Sequence, residues 1–278
     1  NFPFRDPVGP SIEGESMMDA HVLELQATVS TRRCECIGTR VGLVKGALER
    51  WASHHRGIIV VGAVNPREGD EAFADAVAML ADKLGWPVLS DVLNPLRGHA
   101  SDSTALICHY DAFLRQPDQL DSLAPTAILQ IGALPTSKVL RGWLGSQDAV
   151  SFLLTDRPVN TDPLHRVATP LFGQAPVLAE ALHSLKADSD WTDSWKAVEA
   201  MTAASIDSRL DKIDDMFEGK VAWLLSRHLP VGTPTFLASS MSVRYAEYFW
   251  SASNRACSIQ ANRGANGIDG TLGTALGM

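Results

Sequence analysis

The chain has 278 residues, of which 45% are hydrophobic and 20% charged; that is ordinary globular composition, with too much apolar content for long disorder. The 24 Lys and Arg against 32 Asp and Glu leave a net charge of −8, which argues against nucleic acid or an anionic membrane as the main partner. Apolar runs such as Ile58 to Val61 are far too short to span a bilayer, and the length suits about two domains.

Residues 1–24 carry Pro3, Pro7, Gly9, Pro10 and Gly14 with no sustained apolar period, and read as an extended arm. The chain opens Asn1-Phe2-Pro3 and ends at Met278 after an apolar, glycine-rich stretch, so both ends read as cut. No signal-peptide pattern is seen. Cys34, Cys36, Cys108 and Cys257 lack zinc spacing and read as reduced thiols, which fits a cytoplasmic protein.

From about residue 25 to 186 strands alternate with helices. Ile58 to Val61 is a continuous β-branched run, as a buried parallel strand requires. A helix follows, with Asp70 as its cap and Phe73, Ala76, Val77, Leu80 and Leu84 on one face, stopped by Gly85 and Pro87. Further strands are expected at Pro87 to Leu89, Ala127 to Ile131 and Val150 to Leu154. Helices are expected near 103–115 and 137–146, with a closing helix from Pro176 to Leu185. This alternation implies an α/β fold, a parallel sheet covered on both faces. The polar stretch Lys186 to Asp190 marks a boundary.

Beyond it, a long helix is expected over Thr192 to Leu229, broken at Gly219. A strand at Thr233 to Leu237, a helix at Ser242 to Trp250, a strand at Ser258 to Ala261 and a helix at Asp269 to Leu276 follow. The alternation has restarted, but two strands cannot bury both faces of a sheet. This second unit is read as incomplete and expected to be looser than residues 25–186.

The turn Gly62-Ala63-Val64-Asn65-Pro66 holds one glycine where a dinucleotide fold wants three. No phosphate-loop, zinc-protease or nucleophile-elbow motif is present. His54 and His55 read as helix-terminal residues rather than metal ligands. The tryptophans read as core or interface residues, with Trp191 and Trp195 one helical turn apart on a packing face.

Two segments fall where strands give way to helices, the ligand-binding edge of an open parallel sheet. Ser239 and Ser240 stand at a helix start, with Arg244 about one turn in. They are either plain caps or part of an anion site. The loop Asn262 to Gly270 puts three glycines and Arg263 on the same edge. Two arginines there, in an acidic protein, point to an anion site; surface ion pairs are the alternative.

Three segments together resemble the MenD family of thiamine-diphosphate enzymes, the 2-succinyl-5-enolpyruvyl-6-hydroxy-3-cyclohexene-1-carboxylate synthases. Asn262-Arg263-Gly264-Ala265-Asn266-Gly267-Ile268-Asp269-Gly270 looks like the family's hallmark loop. Asn1 to Pro7 is similar to its N-x-P-F-R-[DE]-P, and Gly132 to Lys138 to its middle-domain lysine loop. Ser239, Val139 and Asn266 stand where relatives often carry asparagine, a basic residue and serine.

The resemblance implies a Rossmann-like middle domain over 25–186 and the first part of a diphosphate-binding domain over 187–278. Residues 1–24 would be an arm from a preceding pyrimidine-binding domain. The implied reaction decarboxylates 2-oxoglutarate and adds the succinyl-semialdehyde carbanion equivalent to isochorismate, toward menaquinone or phylloquinone. Arg244, Arg263 and Lys138 would bind substrate carboxylates. Ser240 would hydrogen-bond the cofactor-linked intermediate, and Ser239 would join it in the cofactor site. Ile268 would support thiamine diphosphate from below.

The family's activating glutamate and its Mg2+- or Mn2+-binding segment would fall outside these 278 residues, which contribute no metal ligand. The fragment alone is therefore expected to be inactive and to hold no cofactor tightly; the complete enzyme would be a homodimer or homotetramer. Two other readings stay open: a non-catalytic anion-binding regulatory module, and a thiamine-diphosphate lyase of acetolactate-synthase type.

Overall fold

The computed structural model describes residues 54–101, 104–116, 121–155, 162, 164, 168–182, 189–262 and 268–278, with the backbone strand at 35–36. The expected arm 1–24, Cys34, Trp51, the helix expected before His54, and residues 263–267 with Arg263 lie outside the described residues.

Seven strands form one sheet: β1 (Glu35–Cys36), β2 (Gly57–Val61), β3 (Val88–Ser90), β4 (Leu106–Ile107), β5 (Ala127–Ile131), β6 (Val150–Thr155) and β7 (Thr169–Phe172). Their order is β1-β7-β6-β5-β2-β3-β4, and every pairing is parallel. From β2 the chain winds outward through β3 and β4, then returns to β5 on the other side. That reversal makes a doubly wound, Rossmann-like sheet.

Both faces are covered, which is why β2 is apolar at consecutive positions. Ile59 and Val61 face helix α1 (Asp70–Leu84), with Phe73, Val77 and Leu80 among the packed residues, and helix α4 (Ala175–Ala181) beside it. Ile58 and Val60 face the opposite layer, built from α2 (Tyr110–Phe113), α3 (Lys138–Ser146) and α5 (Ser189–Leu210). There Trp195, fully buried, meets the rings of Phe113, Trp143 and Trp191 edge-on, with centroids 5.9–6.0 Å apart. Trp191 also donates its indole N–H to the Gly57 carbonyl at 2.8 Å. The packing role expected of these two tryptophans is thus observed.

Several local expectations need correction. Asp70 is the first residue of α1, not its cap; Gly69 caps it at φ 92°, without a side-chain bond. Gly85 ends it in the left-handed conformation, as expected. The helix expected near 103–115 is strand β4 followed by the short α2, because the β-forming pair Leu106–Ile107 adds to the edge of β3. The closing helix α4 stops at Ala181.

The long helix expected over 192–229 is two helices, α5 and α6 (Glu218–His228). The break falls at the aspartate-rich stretch after Leu210, whose side chains favour turns over helix interiors. Gly219 is therefore not a breaker. It lies in the first turn of α6, where an added Cβ would come within 2.6 Å of the Phe249 ring.

The second α/β stretch holds β8 (Thr235–Leu237), α7 (Met241–Phe249), β9 (Ile259–Ala261) and α8 (Thr271–Leu276). Strands β8 and β9 form a separate two-stranded parallel sheet. Val243, Ala246 and Trp250 on α7 pack with Ala222 of α6 against Val92 and Leu93, at the carboxyl end of β3. Residues Glu35–Met278 thereby form one compact unit.

At the reversal point the chain closes its own crevice. The Gly62 amide donates to Ile131 O at 3.0 Å and the Ala133 amide to Ala63 O at 3.1 Å. A Cβ on Gly62 would sit 1.7 Å from the Ala133 carbonyl oxygen. The two turns lock backbone to backbone where a nucleotide fold leaves room for pyrophosphate.

Candidate functional site

The carboxyl end of β3 organises the site, because three consecutive residues there, Ser90 to Val92, anchor two different elements. Asp91 is buried. Its Oδ1 accepts the Leu93 amide at 2.7 Å, and its Oδ2 accepts the Thr136 amide at 2.5 Å. The loop that opens α3 is thus fixed two residues before Lys138.

Ser137 caps α3 by accepting the Leu140 amide at 3.0 Å, while its hydroxyl donates to buried Asp111. Asp111 in turn receives two hydrogen bonds from Arg115, at 2.6 and 3.0 Å, and this pairing raises the Arg115 pKa. The Arg115 guanidinium lies 5.8 Å from the Tyr248 ring centroid on α7. Lys138 follows as the first, exposed residue of α3. Its ammonium has no carboxylate partner among the described residues.

Val92 and Ser90 anchor α7. The Val92 amide donates to Glu247 Oε2 at 2.8 Å, and Arg97 Nη2 to the same oxygen at 3.1 Å. The Tyr110 hydroxyl donates to Glu247 Oε1. Arg97 also donates to Ser90 O, Cys108 O, Glu247 O and Trp250 O. Two of those carbonyls belong to the last turn of α7, where a cation also complements the helix dipole.

Arg97 and Glu247 are both fully buried. Burial pushes the Glu247 carboxyl up, to about 8; Asp91 adds to the rise and Arg97 opposes it. For Arg97 burial works downward, but Glu247 and its neighbours outweigh it and the net shift is upward. Burial holds the Cys108 thiol unreactive, pushed up to about 12.

Ser239, Ser240 and Arg244 stand at the start of α7, one turn and more before Glu247. Ser240 occupies the N-cap position but makes no side-chain capping bond, so it is not a plain cap. Ser239 donates to the Asn262 carbonyl and ties the end of β8 to the end of β9. Arg244 Nη1 donates to Ser240 O at 2.9 Å and has no carboxylate partner among the described residues. Asn262 reaches Thr274 Oγ1 on α8 at 3.2 Å. Ile268 is 88% exposed, and Leu272 and Leu276 are exposed beyond it. A cleft of about 270 Å³ opens beside this edge, between the turn after β2, the end of β3 and strand β9; Asn65, Asp70, Asn94 and Gln260 are among its lining residues.

The described part of the site thus contains Ser239, Ser240 and Arg244 on one helix start, with Lys138 referenced to the same strand end. Arg263 lies outside the described residues. No three His, Cys, Asp or Glu side chains converge as a metal set among the described residues, and no described helix is long and apolar enough to cross a membrane.

Sequence reasoning missed Arg97, Glu247, Tyr110, Asp91 and Asp111. One signal was available. Val243, Ala246 and Trp250 define an apolar helix face, and Glu247 falls on that face, where a carboxylate needs a buried partner. Nothing local identifies Arg97 as that partner, since it lies 150 positions away.

Residues 40–237 match the family described as the middle domain of thiamine pyrophosphate. Similar curated proteins are 2-succinyl-5-enolpyruvyl-6-hydroxy-3-cyclohexene-1-carboxylate synthases. That of Synechococcus elongatus is 45% identical over 80% of this chain and 38% of its own length. Those of Acaryochloris marina and Rippkaea orientalis are 38% and 37% identical over 100% of this chain, and over 49% and 47% of their own lengths. The chain therefore spans about half the length of these relatives or less. With its doubly wound parallel sheet and its match over most of its length, the chain belongs to the thiamine pyrophosphate middle-domain family and, by the relatives it resembles, to MenD.

Proposed function

We propose that the chain is part of a thiamine-diphosphate-dependent synthase, a cytoplasmic homo-oligomer acting toward menaquinone or phylloquinone. In this reading 2-oxoglutarate loses CO2, and the remaining four-carbon unit adds to a C=C bond of isochorismate. Residues 25–186 serve as the middle domain and 187–278 as the first part of the diphosphate-binding domain.

The observation that carries the reading is a pair of cations, Lys138 and Arg244. Neither has a carboxylate partner among the described residues, in a protein of net charge −8. Both proposed substrates are dicarboxylates and need fixed positive charge. Arg244 binds one carboxylate through its planar fork, and Lys138 supplies a point charge from the middle domain. Arg263 is a third cation for the same task. The Ser240 hydroxyl, not engaged in capping, donates a hydrogen bond to the reacting substrate.

The residues fit thiamine diphosphate in one respect. Ile268 presents an almost fully exposed apolar side chain beyond strand β9, suited to lie beneath an aromatic ring. Ile268, Ser239 and Ser240 would hold the cofactor, which when bound supplies the electron sink for decarboxylation. Among the described residues no three His, Cys, Asp or Glu side chains converge as ligands for Mg2+ or Mn2+. The 278-residue chain alone is expected to show no turnover and no tight cofactor binding.

The test is a turnover assay of the synthase containing this chain, with thiamine diphosphate and Mg2+ or Mn2+. CO2 release from 2-oxoglutarate with consumption of isochorismate is the expected result. CO2 release from pyruvate instead would move the protein to the acetolactate-synthase type. No turnover of either would favour a non-catalytic anion-binding module.

A further inference from the structure

We infer that Glu247 is a positioning residue for Arg244, and that Arg97 and Tyr110 fix it in that role. The inference rests on the reading of Arg244 as a substrate-carboxylate ligand and adds what holds that ligand in place.

Arg244 has only one hydrogen bond among the described residues, to Ser240 O of its own helix. Its position is therefore set by the placement of α7. That helix has nine residues and no side-chain cap at its start, so intrinsic helix stability contributes little. Apolar contacts of Val243, Ala246 and Trp250 hold one face, but the hydrophobic effect behind them is non-directional.

Direction comes from Glu247, three residues after Arg244 and one helical turn along. Its carboxylate takes the Val92 amide, Arg97 and the Tyr110 hydroxyl. Arg97 grips the helix end as well, through Glu247 O at 3.1 Å and Trp250 O at 2.9 Å. All three side chains are fully buried, so each bond acts in a water-excluded setting where geometry is strongly enforced. Neighbouring Asp91 sets the Lys138 loop through the Thr136 amide. The strand end Ser90 to Val92 is thus a common origin for both cations, and Glu247 is the link on the Arg244 side.

A double-mutant cycle in the synthase containing this chain tests this, because a residue acting through Arg244 has no effect once Arg244 is gone. Glu247→Gln keeps the side-chain shape and one acceptor oxygen; Tyr110→Phe is the milder second variant should Glu247→Gln fail to fold. Either is expected to raise KM for a dicarboxylate substrate about fivefold, with kcat altered less than about twofold. On an Arg244→Ala background, the same change should alter KM by less than about twofold. Equal fold-changes on both backgrounds would overturn the inference and leave the reading of Arg244 intact. An Arg244→Ala variant with unchanged KM would instead remove that reading, and the inference with it.

Discussion

The Val92 amide and the Glu247 carboxylate meet at 2.8 Å across 155 positions of sequence. Val92 follows the carboxyl end of a strand in the large sheet, and Glu247 lies on a helix of the small one. One residue earlier, Asp91 holds the Thr136 amide and with it the loop leading to Lys138. Two cations from distant parts of the chain are therefore referenced to one strand end. On the proposed reading, a site for dicarboxylates benefits from such a fixed frame, since a small misplacement of a binding group weakens the contact it makes.

Closure of the reversal-point crevice is expected to be intolerant of a single methyl group. Gly62→Ala would force a Cβ to within 1.7 Å of a backbone oxygen, which no rotamer change relieves. We expect destabilisation of about 3 kcal/mol or more, read by urea unfolding.

The buried carboxyl gives stability a defined pH dependence. Glu247 has an ordinary value of 4.5, raised to about 8 in the folded chain by burial and by Asp91. Between those values the folded state binds more protons than the unfolded state, so this group's contribution falls as pH rises. It is fully present below about 4.5 and lost by pH above about 8. Urea midpoints from pH 5 to 8.5 should decline less steeply in Glu247→Gln than in the parent; equal slopes would contradict the assignment.

Trp195 touches three aromatic rings and is fully buried. Trp195→Ala should cost about 3–5 kcal/mol. Denaturant unfolding followed by far-ultraviolet circular dichroism checks this.

Protection from amide hydrogen exchange should be uneven. Strands β2 and β5 are buried on both faces, whereas α8 has no buried residue and leaves Leu272 and Leu276 exposed. Slow exchange over 57–61 and 127–131 with fast exchange over 271–276 is expected. Uniform protection would show that the small sheet is as firmly held as the large one.

What the sequence revealed follows from the range of the forces involved. The continuous β-branched run at Ile58 to Val61 and the one-sided apolar spacing of α1 are local patterns, and both elements were legible. Strand β4 has two residues and exists because it adds to β3; no local pattern marks so short a segment. Glycine disfavours helix interiors, so the sequence points to a break at Gly219, whereas the break lies between Leu210 and Glu218. Packing against Phe249 explains that glycine instead. The cations Lys138 and Arg244 were legible from their motifs. The buried acids and Arg97 behind them were not, since each pairing closes over tens to more than a hundred residues.

The most direct test of the central claim is steady-state kinetics of Arg244→Ala and Lys138→Ala in the proposed synthase, with the proposed substrates 2-oxoglutarate and isochorismate. Loss of a charge-assisted contact is worth about 1.5–3 kcal/mol, so each variant should lose about tenfold or more in kcat/KM for a dicarboxylate substrate. Near-parental kinetics in both variants would contradict the account of these cations as carboxylate ligands.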